Sequence, residues 1–392
     1  MSTSVIVAGA RTPIGKLSGA LSSLTAADLG GRAIAAALER SGIAADEVDA
    51  VVMGTVVQAG VGPNPARQAA VTAGLPMTVP ATTVNNLCLS GLEAIMQADR
   101  LIATGAADVV VAGGMESMTN APYLVRGARQ GLKYGSTGFE DALDRDALTC
   151  AFDGISMGAS TERYQASENI SRAEQDEFAA RSHRLAAEAT ASGVFTAEIA
   201  PVEVASRRGT VMLAVDEGIR AETTVESLGR LRPAFAQGGI ITAGASSQLS
   251  DGAAAVVVMR KDLAEARGIP WLVEIRAHAL VAGPDTSLLY QPANAIEAAL
   301  KRDGEITVAD LDLIEINEAF AGVALVSMRQ LGVDAGKVNI HGGAIAVGHP
   351  VGMSGARLAL SLGYSLKSAG GGAGAVALCG GGGQGIAMIV SA

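Results

Sequence analysis

The chain has 392 residues, 49% apolar and only 17% charged, which is enough to bury a large core and too apolar for wholesale disorder. Its net charge of −10 argues against a globally basic nucleic-acid binder, yet allows a local cationic patch for a phosphorylated ligand. Three cysteines (Cys88, Cys150 and Cys379) are too few and too far apart for a disulfide framework. The four histidines show no zinc-ligand spacing with them, so no metal is expected.

Met1–Ala10 has no basic start and reads as a first strand rather than a leader. Val5–Ala8, Val48–Met53 and Asp108–Ala112 are continuous apolar runs, predicted as buried strands. Between the first two, a helix opens at Thr25-Ala-Ala-Asp28 with a capping-box pattern and stops at Ser41-Gly42. This βαβ rhythm predicts sheets covered by helices on both faces. A second helical pattern, Leu92–Ala103, follows Cys88 directly.

From about Thr119 to Gln248 the chain matches nothing else in itself. It holds a helix opening at Ser171-Arg-Ala-Glu174 and running to about Gly193. It also carries Arg126, Arg129, Arg207, Arg208, Arg220, Arg230 and Arg232. This stretch reads as an insertion that leaves after the third strand and carries ligand specificity. After Lys367 come 25 uncharged residues, nine of them glycine, which fit a strand, a glycine loop and a strand better than a membrane span. A reducing cytosol is the expected setting, with neither membrane nor nucleic acid as a partner.

The second half repeats the first. Val48–Gly54 aligns with Leu311–Asn317, Leu87–Gly91 with Val351–Gly355, and Asp108–Gly114 with Gly374–Gly380, at offsets of 263, 264 and 266 residues. Such constancy predicts two copies of one domain, with ligand chemistry where they meet.

Cys88 is expected at a strand-to-helix turn, where free N–H groups and the helix dipole favour a thiolate and can hold an oxyanion. Cys379 closes a strand before four glycines. Gly380, Gly382 and Gly385 formally spell a dinucleotide-binding pattern, but a strand follows where a helix is needed, so that reading is rejected. His349 lies in a glycine- and proline-rich loop suited to taking a proton from a thiol, and His341 is a second candidate. Asn317 ends the strand that matches Val48–Met53, placed either to orient a water or to cap a helix.

Together these motifs resemble the thiolase family: Val7–Gly15, the Cys88 turn, Gly113–Met118, Asn317–Phe320, Gly342–Gly355 and Cys379–Gly385. The resemblance implies two βαβ-repeat domains in a five-layered α-β-α-β-α core plus an inserted loop domain. The implied division is 1–118 with 249–268, 119–248, and 269–392. It implies an acyl-coenzyme A acyltransferase in which Cys88 takes the acyl group, His349 activates it and Cys379 exchanges the α-proton. Asn317 would hold a water that forms, with His349, a site for the enolate. The N–H groups of Cys88 and Gly381 would form a second oxyanion site.

Coenzyme A would be a substrate, contacted by Met157, Arg220, Phe235, Ser247 and Phe320, with no further cofactor. The resemblance also implies a homodimer or homotetramer, with the elements near Cys88 close to the dimer interface. Two positions depart from the family pattern. Ser156 stands where short-chain members carry histidine, and Ala245 where asparagine is usual. The first leaves acyl chain length open. Three alternatives remain on sequence grounds: an inactive coenzyme A-binding scaffold, a thiol redox protein using Cys88 and Cys379, and a carrier-protein-dependent condensing enzyme. The last two are disfavoured, one by the lack of a C-x-x-C pattern and the other by the Cys379 motif.

Overall fold

The computed structural model describes residues 3–206 and 209–392. Met1, Ser2, and Arg207 and Arg208 of the expected cationic set lie outside the described residues. The first apolar run is strand β1 (Ser4–Arg11), followed by helix α1 (Ala26–Ser41). Thr25 closes the expected capping box, and Gly42 ends α1 in the left-handed conformation at φ 66°. Next come β2 (Ala50–Gly54), β3 (Ala81–Val84), α2 (Ser90–Ala103) and β4 (Val109–Ser117). The insertion leaves after β4, the run expected as the third strand; two further strands, β3 and the two-residue Gly15–Lys16, precede it. β3 is a short edge strand, largely half-buried, and Ala-Thr-Thr-Val is too polar to show as an apolar run.

The insertion contributes α3 (Met157–Gln165) and α4 (Arg172–Ala191), the latter opened by the expected box at Ser171. Arg11 ties it down. This buried guanidinium donates to Glu198 Oε1 (2.7 Å) and to both oxygens of Asp216 (2.7 and 2.9 Å). Beyond it come β5 (Ser250–Arg260), β6 (Val273–Ala282), α5 (Gln291–Asp303), β7 (Leu313–Ile316), α6 (Ala321–Leu331), α7 (Ser354–Ala369), β8 (Ala373–Gly380) and β9 (Gln384–Ser391). The last two form the hairpin expected of the glycine-rich terminus, paired antiparallel from Ala373↔Ser391 to Gly380↔Gln384.

The strand order is β7-β8-β9-β6-β1-β5-β4-β2-β3. It mirrors itself about β1 and β6, which pair among the described residues at Val5↔Glu274 and Ile6↔Val273. In each half a parallel set (β2, β3 and β4, or β7 and β8) is followed by an antiparallel strand, β5 or β9. Where β3 would repeat in the second half, Val338 makes a single parallel bridge to Ile314.

The inner layer is α2 against α7. They approach at glycines: a Cβ on Gly355 would stand 2.4 Å from Leu92 N, and one on Gly91 2.9 Å from Ala356 N. Leu92, Ile95, Met353 and Leu358 share one core with the inward faces of both half-sheets. Leu29 and Ile34 of α1 cover the outer face of the first half, over Val51, Val111 and Val257. Ile296 and Leu300 of α5 cover the second, over Ile314, Ile316 and Ile389. Helix, half-sheet, helix pair, half-sheet and helix give five layers.

Candidate active site

In both halves the chemical residues sit at the ends of parallel strands: Cys88 lies after β3, Asn317 follows β7 and Cys379 is near the end of β8. Cys88 lies on the turn between β3 and α2. Leu87 takes the left-handed conformation (φ 51°), unusual for a residue with a Cβ. Ser90 holds that turn by donating to Leu87 O (2.6 Å) and accepting from Asn86 N (2.8 Å). The backbone N–H groups of Cys88 and Gly381 both point at the Cys88 sulfur.

The expectation that this position favours a thiolate is corrected. Burial pushes the Cys88 thiol up to about 12, and the nearby Glu116 carboxylate adds to this, against the downward pull of the two N–H groups. The helix terminus is outweighed by loss of water and a like charge.

Cys379 is buried at the end of β8, its thiol raised by burial and by the field of Cys88. Gly381 follows in the hairpin turn, where a Cβ would stand 2.6 Å from Met157 Cε. Asn317 follows β7 and is no helix cap, since α6 opens only at Ala321. Its N–H donates to Ala377 O (2.9 Å), and its side-chain Nδ2 lies 3.3 Å from His349 Nε2. Asn317 Oδ1 is buried with no partner among the described residues, which fits an acceptor kept for a water or ligand.

The other ring nitrogen of His349, Nδ1, is 2.6 Å from Ser354 Oγ. Burial, with the positive field of Arg357, holds His349 down to about 3, so the imidazole is neutral. His341, the second candidate, is not brought to this site. It lines a small cavity among Arg11, Glu198, Glu315 and Arg357.

Glu116 links the parts and was missed as a single residue within its motif. Its two oxygens accept from Val56 N, Val57 N and Gly352 N at 2.8, 3.2 and 2.9 Å, and from Thr55 Oγ1. It thereby fastens the end of β2 and β4 to the loop that carries His349. Glu318 does the same for the insertion, accepting from Ser182 Oγ, Asn339 Nδ2 and Ile345 N. Both are carboxylates inside apolar stretches, and that anomaly is the signal that could have found them.

A cavity of about 920 Å³ opens in front of these groups. Its deep wall includes His349, Ala319 and Phe320, and its mouth Arg220, Glu222 and Ser227; Met157, Phe235 and Ser247 also line it. Phe235 meets Phe320 edge-on, with centroids 5.7 Å apart. All five residues expected to contact coenzyme A thus share one cavity. Among the chemical set only His349 reaches its wall; Cys88, Cys379 and Asn317 do not.

Among the described residues of the expected arginine set, Arg220 alone lines the cavity, and Arg126, Arg129, Arg230 and Arg232 are exposed elsewhere. His183 sits under Arg220, with Nδ1 accepting from its N–H (3.2 Å) and Nε2 3.3 Å from its guanidinium. Ser156 caps α3 by accepting from Ala159 N (3.2 Å) and lines the cavity. The loop lacking asparagine at 245 closes instead through Thr242 Oγ1, which accepts from Ala245 N (3.2 Å). A second cavity of about 560 Å³ lies beyond Met157, lined by Leu87, Gly381 and Cys150.

The model of the thiolase N-terminal domain matches residues 4–262, and that of the thiolase C-terminal domain matches 269–392. The chain is 55% identical to a probable acetyl-CoA acetyltransferase of Mycolicibacterium smegmatis, over 98% of this chain and all of the relative. It is 46% identical to the acetyl-CoA acetyltransferase of Escherichia coli, over all of this chain and 99% of the relative. It is 44% identical to a probable acetyl-CoA acyltransferase of Staphylococcus epidermidis, again over all of this chain and 99% of the relative. With two domain models covering nearly every residue of a mirrored two-half fold, the chain belongs to the thiolase family.

Proposed function

We propose that this chain is a thiolase-type acyltransferase that cleaves a 3-oxoacyl-coenzyme A with free coenzyme A, or runs the reverse condensation of two acetyl-coenzyme A. The observation that carries this reading is the joint placement of Cys88 under two N–H groups and of a neutral His349 at the deep end of a cavity whose mouth holds Arg220.

In thiolysis the Cys88 thiol gives its proton to His349 Nε2 as its sulfur attacks the 3-oxo carbonyl. With the thiol near 12 and the imidazole near 3, no ion pair exists at rest, so the proton moves with the attack. The tetrahedral oxyanion sits against the N–H groups of Cys88 and Gly381. The C–C bond breaks, the electron pair forms an enolate thioester, and that oxygen is met by His349 with a water on Asn317. Cys379, kept as a thiol by burial, supplies the α-proton. Acetyl-coenzyme A departs. Free coenzyme A then gives its thiol proton to the Cys379 thiolate as its sulfur attacks the Cys88 thioester. The Cys88 sulfur leaves and recovers its proton from His349, and the shortened acyl-coenzyme A is released. The enolate is stabilised by hydrogen-bond donors alone, so the proposed reaction needs no cofactor.

Residues 119–248 are assigned as the coenzyme A-binding unit, between thiolase domains at 1–118 with 249–268 and at 269–392. The missing histidine at Ser156 and the space beyond Met157 support acyl chains longer or more branched than acetoacetyl. Exposed Tyr123, Leu132, Tyr134 and Phe139 on one insertion loop support assembly as a homodimer or homotetramer. No described helix is long and apolar enough to cross a membrane. The assigned compartment is the cytoplasm.

The test is thiolysis across 3-oxoacyl-coenzyme A chain lengths, with mass spectrometry of the quenched enzyme. A thioester on Cys88 that disappears in Cys88→Ser is the expected result. Absence of both activity and thioester at every chain length would leave only a coenzyme A-binding scaffold.

A further inference from the structure

The internal repeat sets two serines at matching points. Ser90 opens α2, two residues after Cys88, and Ser354 opens α7, five residues after His349. Ser90 braces the nucleophile turn through Leu87 O and Asn86 N. We propose that Ser354 is the corresponding positioning residue for His349, its hydroxyl fixing the imidazole as the Nδ1–H tautomer so that Nε2 is the bare acceptor. This rests on the reading of His349 as the base.

A serine hydroxyl has one proton, and that of Ser354 donates to Pro350 O (3.0 Å). With that proton on Pro350 O, Oγ offers a lone pair toward His349 Nδ1 at 2.6 Å, and the ring donates. A neutral imidazole has a single N–H, so Nε2 is left without one. The far side agrees, because Asn317 Nδ2 is a donor and faces Nε2 at 3.3 Å. Ser354 is 1% exposed, so solvent does not compete for Nδ1. When Nε2 takes the Cys88 proton, the imidazolium keeps its Nδ1–H bond to Ser354, and nothing at the site has to turn.

The test is nitrogen-15 spectroscopy of the intact protein labelled at its four histidines, with His349→Gln used to assign the ring. The expected spectrum shows a protonated Nδ1 and an unprotonated Nε2, unchanged from pH 8 to 5. Ser354→Ala is expected to mix the two tautomers and to lower kcat about 10- to 100-fold, less than the roughly 100- to 10,000-fold of a lost general base because the imidazole itself remains, with KM for coenzyme A nearly unchanged. Ser354→Thr, which keeps the hydroxyl, should recover most of that loss. A wild-type spectrum with the proton on Nε2 overturns the proposal, and so does an unchanged kcat in Ser354→Ala. If neither variant folds, the wild-type spectrum alone decides. An Nδ1–H ring combined with full thiolysis by His349→Ala would instead remove His349 as the base, and the positioning role with it.

Discussion

Cys88 shows how far a residue's setting departs from its neighbourhood in the chain. The helix start beside it would lower a thiol, whereas enclosure and the charge of Glu116 raise it to about 12. Alkylation of Cys88 by iodoacetamide is therefore expected to climb with pH throughout the range 7 to 10 without a plateau. A plateau below pH 8 would mean a preformed thiolate. Cys88 and His349 were legible as candidates because a lone cysteine before a helix and a histidine among glycines are unusual. Their protonation was not legible, since it depends on groups that reach the site from other segments. Glu116 lies 28 residues from Cys88 in the chain, and Arg357 acts on the loop residue His349 from the first turn of α7. Ser354 was legible only as part of the repeat, and its contact with Nδ1 emerged from the fold.

At the scale of elements, the pairing of α2 and α7 depends on two missing side chains. Glycine to alanine inside a helix normally stabilises by roughly 0.5–1 kcal/mol. At Gly355 the added Cβ would stand 2.4 Å from the main chain of α2, and that backbone cannot give way as a flexible side chain could. Gly355→Ala is expected to destabilise by about 3 kcal/mol or to prevent folding, read as the shift in urea midpoint. Gain of stability would show that the inner helices slide freely. The elements with strong local signals (β1, α1, α4 and the β8–β9 hairpin) appear where caps and apolar runs predict them. β3 was hidden because its four residues are stabilised by pairing with β2 rather than by their own composition.

For the whole molecule, buried histidines set an acid limit. His349 is held near 3 and His183 near 4, in each case mainly by burial, so neither takes a proton in the folded state at pH 5. In the unfolded chain both titrate near 6.5. Their folded values are depressed, so the unfolded state gains protons first. The contribution of these two rings is thus full above about 6.5 and falls as pH drops toward 4, by about 1.4 kcal/mol per pH unit for each ring. The buried carboxyls of Glu116 and Glu315, raised by burial to about 7 and about 8, work the other way over the same range. Between pH 7.5 and 4.5 the urea midpoint of His183→Gln should therefore fall less, or rise more, than that of the wild type, and an identical pH dependence in the two would remove His183 from this balance.

The amino-acid sequence by itself determined the strand and helix starts, the repeat at a near-constant offset and the family, because these rest on near neighbours and on spacing along one chain. Only the tertiary structure decided which distant groups meet. Arg11 joins Asp216 across 205 positions, Glu116 joins Gly352 across 236, and the Gly381 N–H reaches Cys88 from the other repeat. Those contacts exist because folding removes water from around buried charges and amides, and each then requires a partner that local sequence does not name.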